Sequence, residues 1–447
     1  MARPVIVRHR ARRGLPPPAL LAALYLAVIV AGTILLSMPI AQARPVGLLD
    51  AFFTSTSAVT VTGLVTVDPA SHFTWFGEAV IMGLIQVGGL GLMTFAAFLL
   101  LTLGISIGMP QRVVIGEELG DTTMEGLARL AKLILLIALV AEIAGTGILA
   151  LTFVPEQGLW PGLWSALFHT VSAFNNAGFA LQADSLMGYV GDPLVSLPIA
   201  AMFILGGLGF IVLGDLFQAR SWRELSLHSK LMIVGSVLLL LLGWVLVAVL
   251  EWTNPRTLGG LASTGDRLLA AFFQSATTRT AGFNSLDTAG LEDATTILVM
   301  ALMFVGGGST STAGGIKVTT AIVLILATRA FFRRRQELSV FGRSLGLEEV
   351  MKVMALTTVS LALIALALFL LSVRHEGDIF DLTFETISAF GTVGLSRGAT
   401  GDLDAFGQCV ICFVMFMGRV GPLTLGFFLA TRATPRVAYP RGQVYLG

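Results

Sequence analysis

Four stretches of the chain share one pattern, with glycine in the next-to-last place. They are residues 50–64 (DAFFTSTSAVTVTGL), 165–179 (SALFHTVSAFNNAGF), 269–283 (LAAFFQSATTRTAGF) and 381–395 (DLTFETISAFGTVGL), here called stretches 1 to 4. The glycines are Gly63, Gly178, Gly282 and Gly394, and the fourth position is always phenylalanine, at Phe53, Phe168, Phe272 and Phe384. Because the stretches align without a gap, they indicate one structural module repeated four times.

The chemistry that these stretches could perform is cation binding by backbone oxygen atoms. Glycine permits a positive φ and lets carbonyl groups face inward without a Cβ in the way. Rings of carbonyls that replace an ion's hydration shell form potassium-selective filters. The predicted filter residues are Thr60, Val61, Thr62, Gly63, Asn175, Asn176, Ala177, Gly178, Arg279, Thr280, Ala281, Gly282, Gly391, Thr392, Val393 and Gly394. The predicted potassium ligands are the carbonyls of Val61, Thr62, Asn176, Ala177, Thr280, Ala281, Thr392 and Val393.

The composition is that of an integral membrane protein. Hydrophobic residues make up 55% of the chain and charged residues 12%, and the mean hydropathy is +0.85. Eight apolar runs reach the ~20 residues that a helix needs to cross a bilayer. They are residues 20–40, 79–103, 130–153, 194–216, 231–250, 295–327, 350–373 and 406–430. The first run follows an arginine-rich start without a persuasive cleavage site, so we expect a retained helix.

Each glycine stretch lies between two apolar runs, and its first part is too short to span the membrane. The predicted fold class is therefore all-α integral membrane, with eight transmembrane helices in four parallel helix–pore loop–helix repeats around one pseudo-fourfold pore. The predicted units are residues 1–19 (cytoplasmic tail), 20–103, 128–217, 229–330 (with a broken second helix), 349–431 and 432–447 (cytoplasmic tail). Glycine-bearing loops left over from duplication are the alternative, which four copies in register make less attractive.

The short helices before the glycines have polar residues near their starts. Asp50, Ser165, Asp266 and either Asp378 or Asp381 are the candidates for capping free amides there. The partially negative helix ends would then point at one common place, which favours a cation. Arginine and lysine concentrate on the side opposite the stretches, which predicts a multi-pass cell-membrane protein with both termini in the cytoplasm. No basic patch with interleaved aromatic residues suggests a nucleic-acid partner.

A second glycine-rich segment interrupts the sixth apolar run. It is a poor helix former and is expected to unwind beneath the filter, as a gating loop. The predicted gating residues are Gly306, Gly307, Gly308, Ser309, Thr310, Ser311, Thr312, Ala313, Gly314, Gly315 and Lys317. A phosphate-binding loop would need an adjacent Gly-Lys-Ser/Thr, which is absent. Shorter clusters at residues 88–91, 206–209 and 418–422 favour close helix packing over hinges.

Several other residues have the type and place for a role inside the membrane. Arg419 is the candidate charge beside the pore, and Lys317 could instead extend to the cytoplasmic surface. We expect Arg279 and Glu385 to brace the filter, His169 to pack or hydrogen-bond, and Glu142 to need a partner that the sequence does not name. Cys409 and Cys412 are expected to pack as small apolar residues. No nucleophile–base pair or carboxylate dyad outside the membrane suggests an enzyme.

Taken together, TVTGL, NNAGF, TRTAGF, GTVGL and the glycine-rich segment resemble the Trk/Ktr/HKT superfamily of potassium transporters, and most nearly its bacterial Ktr-type membrane subunits. The resemblance implies potassium ions in the filter, since Gly63 occupies the first filter, and no covalent cofactor. It also implies an intramembrane gating loop, Arg419 as the family's arginine beside the pore, and a homodimer with a cytosolic ring of nucleotide-binding subunits of the KtrA/TrkA type.

Two questions stay open at this point. Sodium is a candidate coupling or activating ion, and a sodium- or ammonium-conducting channel or symporter of the same architecture is the alternative function. The basic segment 329–343 could hold the cytosolic partner, or it could serve topology and the headgroups of membrane lipids.

Overall fold

The structure, a computed structural model, describes residues 17–91, 124–334 and 338–430. Up to residue 157 its helices are α1 (Pro17–Leu36), α2 (Leu48–Val59), α3 (Pro69–His72), α4 (Trp75–Gly89) and α5 (Met124–Gln157). The next are α6 (Leu159–Phe174), α7 (Pro193–Leu208), α8 (Phe210–Gln218), α9 (Leu227–Glu251) and α10 (Thr264–Thr277). The last are α11 (Asp293–Phe304), α12 (Val318–Phe332), α13 (Leu347–Ser372), α14 (Ile379–Gly391) and α15 (Ala405–Ala430).

Four of these described helices are long and apolar enough to cross a membrane. They lie in α1, α5, α9 and α13, and the bent pair α7–α8 would make a fifth. Large apolar side chains cover their outer surface, as at Leu238 and Val249 of α9. A soluble protein would bury such a surface, so the helices belong to a multi-pass membrane protein. The second and sixth predicted runs coincide with shorter helices and the eighth with α15, and residues 92–103 of the second run lie outside the described residues.

The interruption predicted in the sixth run is confirmed, because α11 ends at Phe304 and α12 begins at Val318. The fourth run differs from its prediction. Its helix bends by 93° between α7 and α8, at Gly209, whose φ is +100°. The preference for packing over a hinge is therefore wrong for this glycine cluster: Gly209 adopts a backbone conformation that other residues rarely reach. In α15 the helix continues through the corresponding residues.

The fold is not purely helical. A two-stranded antiparallel hairpin, β1 (Leu338–Val340) and β2 (Arg343–Leu345), follows α12 inside the basic segment. Phe341 and Gly342 form its turn with positive φ values of 49° and 73°. A two-residue turn with two positive φ values matches the twist of a hairpin. This small sheet corrects the all-α prediction locally.

The four short helices of stretches 1 to 4 are α2, α6, α10 and α14. Each packs on the helix that precedes it in the chain. Each also packs on a helix from the second apolar run of the neighbouring unit: α6 on α4, α10 on α7, α14 on α11, and α2 on α15. The last of these pairs joins the first unit to the fourth. The packing is therefore cyclic, which brings the four glycine stretches together.

The starts of the short helices agree only in part with the predicted caps. Asp378 caps α14 by accepting a hydrogen bond from the Phe380 amide at 2.9 Å. Asp50, Asp266 and Asp381 lie in first turns, where an anion suits the helix dipole. The prediction for Ser165 is wrong, since α5 runs to Gln157 and a turn at Gly158 leads directly into α6, which leaves Ser165 in the helix interior.

Candidate functional site

The four glycines meet one another in a closed ring. All have positive φ: 91° at Gly63, 69° at Gly178, 78° at Gly282 and 93° at Gly394. A Cβ added to each would collide with a carbonyl oxygen of the next stretch. In chain order these oxygens belong to Ala177, Ala281, Val393 and Thr62. Only glycine allows the backbones to approach this closely, so the glycine column reflects both the conformation and the ring contact.

The backbone of each stretch alternates in handedness. The residue two places before the glycine also has a positive φ, with 51° at Val61, 57° at Asn176, 70° at Thr280 and 50° at Thr392, while the residue between does not. Alternation turns successive peptide planes so that their carbonyls face one side, whereas an extended strand would point them to opposite sides. The predicted extended pieces are thus alternating segments. A left-handed residue costs roughly 1–2 kcal/mol, so the surroundings must hold it.

Amide groups of the stretches are bonded away from the ring. Thr62, Ala177 and Val393 donate at 2.8, 2.8 and 2.9 Å to the carbonyls of Ser57, Ser172 and Ser388 in their own short helices. In stretch 3, Ala281 donates instead to Thr277 at 3.0 Å. None of the eight predicted ligand carbonyls accepts a hydrogen bond from the residues that the structure describes. These eight carbonyl oxygens are therefore not used by the hydrogen bonds that hold the described backbone together.

Serine side chains support two of the four glycines. Ser57 Oγ accepts the Gly63 amide at 3.0 Å, and Ser388 Oγ accepts the Gly394 amide at 3.1 Å. The corresponding residues are Ser172, whose hydroxyl is buried without a hydrogen bond, and Ala276. Sequence reasoning missed these serines, although the alignment of the stretches already shows three serines and one alanine in that column.

The loops that follow the glycines are braced by buried side chains. Glu385 accepts hydrogen bonds from Ser396 at 2.7 Å, the Arg397 amide at 2.8 Å and Thr400 at 2.5 Å. At the same position of stretch 2, His169 Nε2 accepts the Leu181 amide at 3.2 Å. Both residues thus accept a hydrogen bond from the corresponding backbone amide. These contacts fit the expected bracing role of Glu385 and the expected hydrogen-bonding role of His169.

In stretches 1 and 4, a carboxylate in the first turn of the short helix also braces the loop that follows the glycine. Asp50 accepts the Thr66 hydroxyl at 2.8 Å, and Asp381 pairs with Arg397 at 2.5 Å. Above the ring the loops enclose an open cavity of about 330 Å³. All four glycines line it, together with polar residues such as Asp68, Gln182 and Asn284. The cavity gives water and ions a place to collect on one side of the ring.

The glycine-rich segment 306–317 lies against the other side of the ring. Thr312 Oγ1 donates to Asn176 Oδ1 at 2.8 Å. A Cβ on Gly306 would stand 3.2 Å from the Thr280 methyl group, and one on Gly314 would collide with Thr392. The segment therefore touches stretches 2, 3 and 4 directly below the alternating backbone.

Neighbouring helix ends hold this segment in place. Gly308 donates to the Gly207 carbonyl at 2.8 Å, and Phe210 donates to the Thr310 carbonyl at 2.9 Å. Phe210 is the first residue of α8, so the 93° bend supplies the free amide that the segment occupies. The helix break in α7–α8 and the unwound segment form one hydrogen-bonded unit.

Arg419 closes the arrangement from α15. Its side chain is only 7% exposed, and it donates to the carbonyls of Thr312 and, at 2.6 Å, Gly88. Lys317 Nζ donates to the Ala313 carbonyl at 2.5 Å, so it folds back onto the segment instead of extending to a surface. Arg279 Nη2 donates to the Gly306 carbonyl at 3.1 Å. Three cationic side chains thus donate hydrogen bonds to carbonyls of the segment and of the helix end beside it.

Three further residues that the sequence singled out are Glu142, Cys409 and Cys412. Glu142 Oε1 accepts a hydrogen bond from Gln86 Nε2 at 2.8 Å, which supplies the partner that the sequence did not name. Cys412 is buried and Cys409 exposed, and both are free thiols. Among the described residues no group of three or more His, Cys, Asp or Glu side chains could hold a metal ion.

The chain is similar to known proteins over nearly its whole length. Residues 20–433 match the family described as TrkH, a cation transport protein. The chain is 44% identical to the Ktr system potassium uptake protein B of Bacillus subtilis, over 96% of this chain and 97% of that protein. It is also 44% identical to the protein of the same name from Vibrio alginolyticus (98% and 96% covered). A third relative is the potassium/sodium uptake protein NtpJ of Enterococcus hirae, with 38% identity (99% and 100% covered).

A solved structure has the same fold. The crystal structure of the potassium transporter TrkH from Vibrio parahaemolyticus superimposes with a TM-score of 0.73, covering 94% of this chain and 86% of that one at 20% identity. The family match extends over nearly the whole chain, and two relatives exceed 40% identity at nearly full length. This chain belongs to the TrkH family of cation transport proteins.

Proposed function

We propose that the chain is the membrane subunit of a potassium uptake system, with stretches 1 to 4 as its selectivity filter. The observation that carries the proposal is the ring of eight carbonyls, which accept no hydrogen bond from the described residues, while the amides of seven of these eight residues donate hydrogen bonds elsewhere. A potassium ion must exchange its hydration shell for such oxygens to pass a narrow ring. Relatives named as potassium uptake proteins support potassium as the ion.

In this proposal the segment 306–317 is the gating loop. It lies against three of the four stretches, and Arg419 places a buried positive charge beside it. A folded segment and a fixed cation under a filter both oppose cation passage. Potassium would flow when the segment moves away from the ring and its hydrogen bonds with Asn176 and Phe210 break.

The cyclic packing supports a pseudo-fourfold pore inside one chain. Each unit would consist of two transmembrane helices flanking a re-entrant short helix, which makes eight spans in four parallel repeats. Backbone at membrane depth that is not helical is tolerated where it lines a wet cavity, and the alternating segments would satisfy that condition. With the arginine-rich side inward, both termini would lie in the cytoplasm of a cell-membrane protein.

In this proposal a cytosolic partner regulates ion flow through the pore. The hairpin β1–β2 and the end of α12 enclose a cavity of about 350 Å³, which is lined by Arg329, Arg333 and Phe341 among others. A ring of nucleotide-binding subunits could dock there on a homodimer of the chain. Purification from the native membrane in mild detergent tests this idea. Recovery of this chain alone, with flux indifferent to added nucleotide and cytosolic extract, would contradict the regulatory ring.

The function itself is tested by flux into liposomes that contain the purified protein. We expect potassium and rubidium to enter much faster than sodium. A sodium-conducting subunit is the second candidate, because a relative of 38% identity is named a potassium/sodium uptake protein. Sodium flux that potassium does not affect would favour this second candidate, and a dependence of potassium flux on external sodium would identify sodium as a coupling or activating ion.

A further inference from the structure

Stretch 2 is connected to a neighbouring unit by side chains in a way that the other stretches are not. Asn175 Nδ2 donates to Gln86 Oε1 of α4 at 2.7 Å. Gln86 Nε2 in turn donates to Glu142 Oε1 of α5 at 2.8 Å. The three residues form a continuous chain of hydrogen bonds from a membrane helix to the alternating backbone.

The corresponding residues of the other stretches make different contacts. Thr60 bonds to the Thr56 carbonyl of its own short helix at 2.7 Å, and Gly391 has no side chain. Arg279 bonds to the Gly306 carbonyl of the loop. Among these four positions only Asn175 reaches a side chain on the second helix of the previous unit, so the connection is specific to stretch 2.

Glu142 gives this chain its direction. Glu142 Oε1 accepts the amino group of Gln86, which leaves the Gln86 oxygen to face Asn175. Asn175 must then offer its own amino group to Gln86. Asn175 Oδ1 faces α4, where a Cβ added to Gly89 would collide with it. The Glu142 carboxylate thus orients Gln86 directly, and the Gln86 oxygen together with the Val171 carbonyl, which also accepts from Asn175 Nδ2 at 2.9 Å, orients Asn175.

The burial of the Glu142 carboxylate costs free energy, which argues against a purely structural role. It is 9% exposed, and it makes no ion pair with any residue that the structure describes. A carboxylate at membrane depth is costly and usually marks a functional place. Asn175 directly precedes Asn176, whose φ of 57° begins the alternation and whose carbonyl accepts no hydrogen bond from the described residues.

We propose that Glu142 and Gln86 are positioning residues for ion selectivity, which act by holding Asn175 and thereby the left-handed Asn176 of stretch 2. The inference rests on the proposed potassium function and adds two residues that lie outside the filter itself. It predicts that these residues influence which ion passes more than they influence whether the protein folds.

The test measures the potassium-to-sodium flux ratio in liposomes for Glu142→Gln, Gln86→Leu and the double variant. Glu142→Gln is nearly isosteric and removes only the acceptor-only character that orients the amides. Each single variant is expected to lower the ratio by about three- to tenfold, the size of one hydrogen bond. Gln86→Leu removes the hydrogen bonds of the chain, and Glu142→Gln allows the amides to reverse their orientation. The double variant should lower it no further than the stronger single variant, because both changes break one chain.

Glu78→Gln is the matched control. Glu78 lies on the same helix as Gln86 and accepts a hydrogen bond from Trp164 Nε1 at 2.5 Å, away from the alternating backbone. It should leave the ratio unchanged. An unchanged ratio in Glu142→Gln, a fall in total flux at constant ratio, additive effects in the double variant, or an equal shift in Glu78→Gln would each overturn the proposal. Should Gln86→Leu fail to fold, Glu142→Gln decides alone. Absence of potassium flux in the unaltered protein would instead refute the proposed function.

Discussion

Stretches 1 and 4 are supported differently from stretches 2 and 3. In the first pair a serine hydroxyl holds the glycine amide, and an aspartate in the first helical turn holds the loop beyond it. In the second pair the polar links come from within the alternating segment. Asn175 bonds to α4, Asn176 bonds to Thr312, and Arg279 bonds to Gly306.

The backbone conformation is nevertheless the same in all four stretches. The positive φ values recur at both positions, and three of the four repeat the same hydrogen bond onto the short helix. Conformation is thus set by glycine, by the ring and by the short helices. The serine and aspartate supports anchor stretches 1 and 4 to their short helices and outer loops, whereas Asn176 and Arg279 tie stretches 2 and 3 to the segment beneath. His169 additionally braces the outer loop of stretch 2.

The largest expected effect comes from a change that both pairs should feel equally. Gly63→Ser and Gly178→Ser place a Cβ against the next stretch and cost roughly 1–2 kcal/mol for the left-handed backbone alone. We expect each to lower the potassium-to-sodium flux ratio by about tenfold or more. Gly83→Ser is the control, since a Cβ there meets nothing within 4 Å. A wild-type ratio in either variant would contradict the filter assignment.

Deletion of residues 307–313 should separate the two pairs. It removes the partner of Asn176 and one of the carbonyls held by Arg419, while the serine and aspartate supports of stretches 1 and 4 remain. Potassium flux in liposomes should rise several-fold, because a barrier under the ring is lost. If the folded protein loses its flux instead, the segment supports the ring and is not a gate.

Thr312→Val addresses the same link more gently. It removes the hydrogen bond to Asn176 Oδ1 and leaves the backbone of the segment intact. Loss of about 1 kcal/mol from the closed arrangement should raise potassium flux roughly fivefold. Thr328→Val, whose hydroxyl bonds only within α12, is the control and should have no effect. A reduced flux in Thr312→Val would mean that the link keeps the conducting state together.

The smallest expected effect compares Ser57 and Ser172, which occupy the same position in stretches 1 and 2. Ser57→Ala leaves the Gly63 amide without its acceptor and should lower the free energy of unfolding by about 1 kcal/mol. Ser172→Ala removes a hydroxyl that makes no hydrogen bond and should be close to neutral. Thermal unfolding of both variants in detergent measures the difference. Equal destabilisation would show that stretches 1 and 2 are supported alike.

Much of this arrangement could be predicted because it repeats along the chain. The glycine column, the short helices and the interruption of the sixth run all leave local patterns, and the structure has each of them. The start of α6, the bend at Gly209 and the hairpin depend on how neighbouring elements meet. Arg419, which donates a hydrogen bond to the Gly88 carbonyl, lies 331 residues from Gly88 in the sequence. No local periodicity records such a pair.

The alternating φ values have a consequence for chirality. A residue with positive φ is in a conformation that suits the mirror-image form of an amino acid, and glycine, which has no chirality, accepts it freely. The ring therefore behaves like a peptide of alternating left- and right-handed residues. A D-alanine introduced at Gly63 by chemical synthesis should fit where L-alanine collides, since its methyl group would point away from the Ala177 carbonyl. The genetic code offers only glycine for that place.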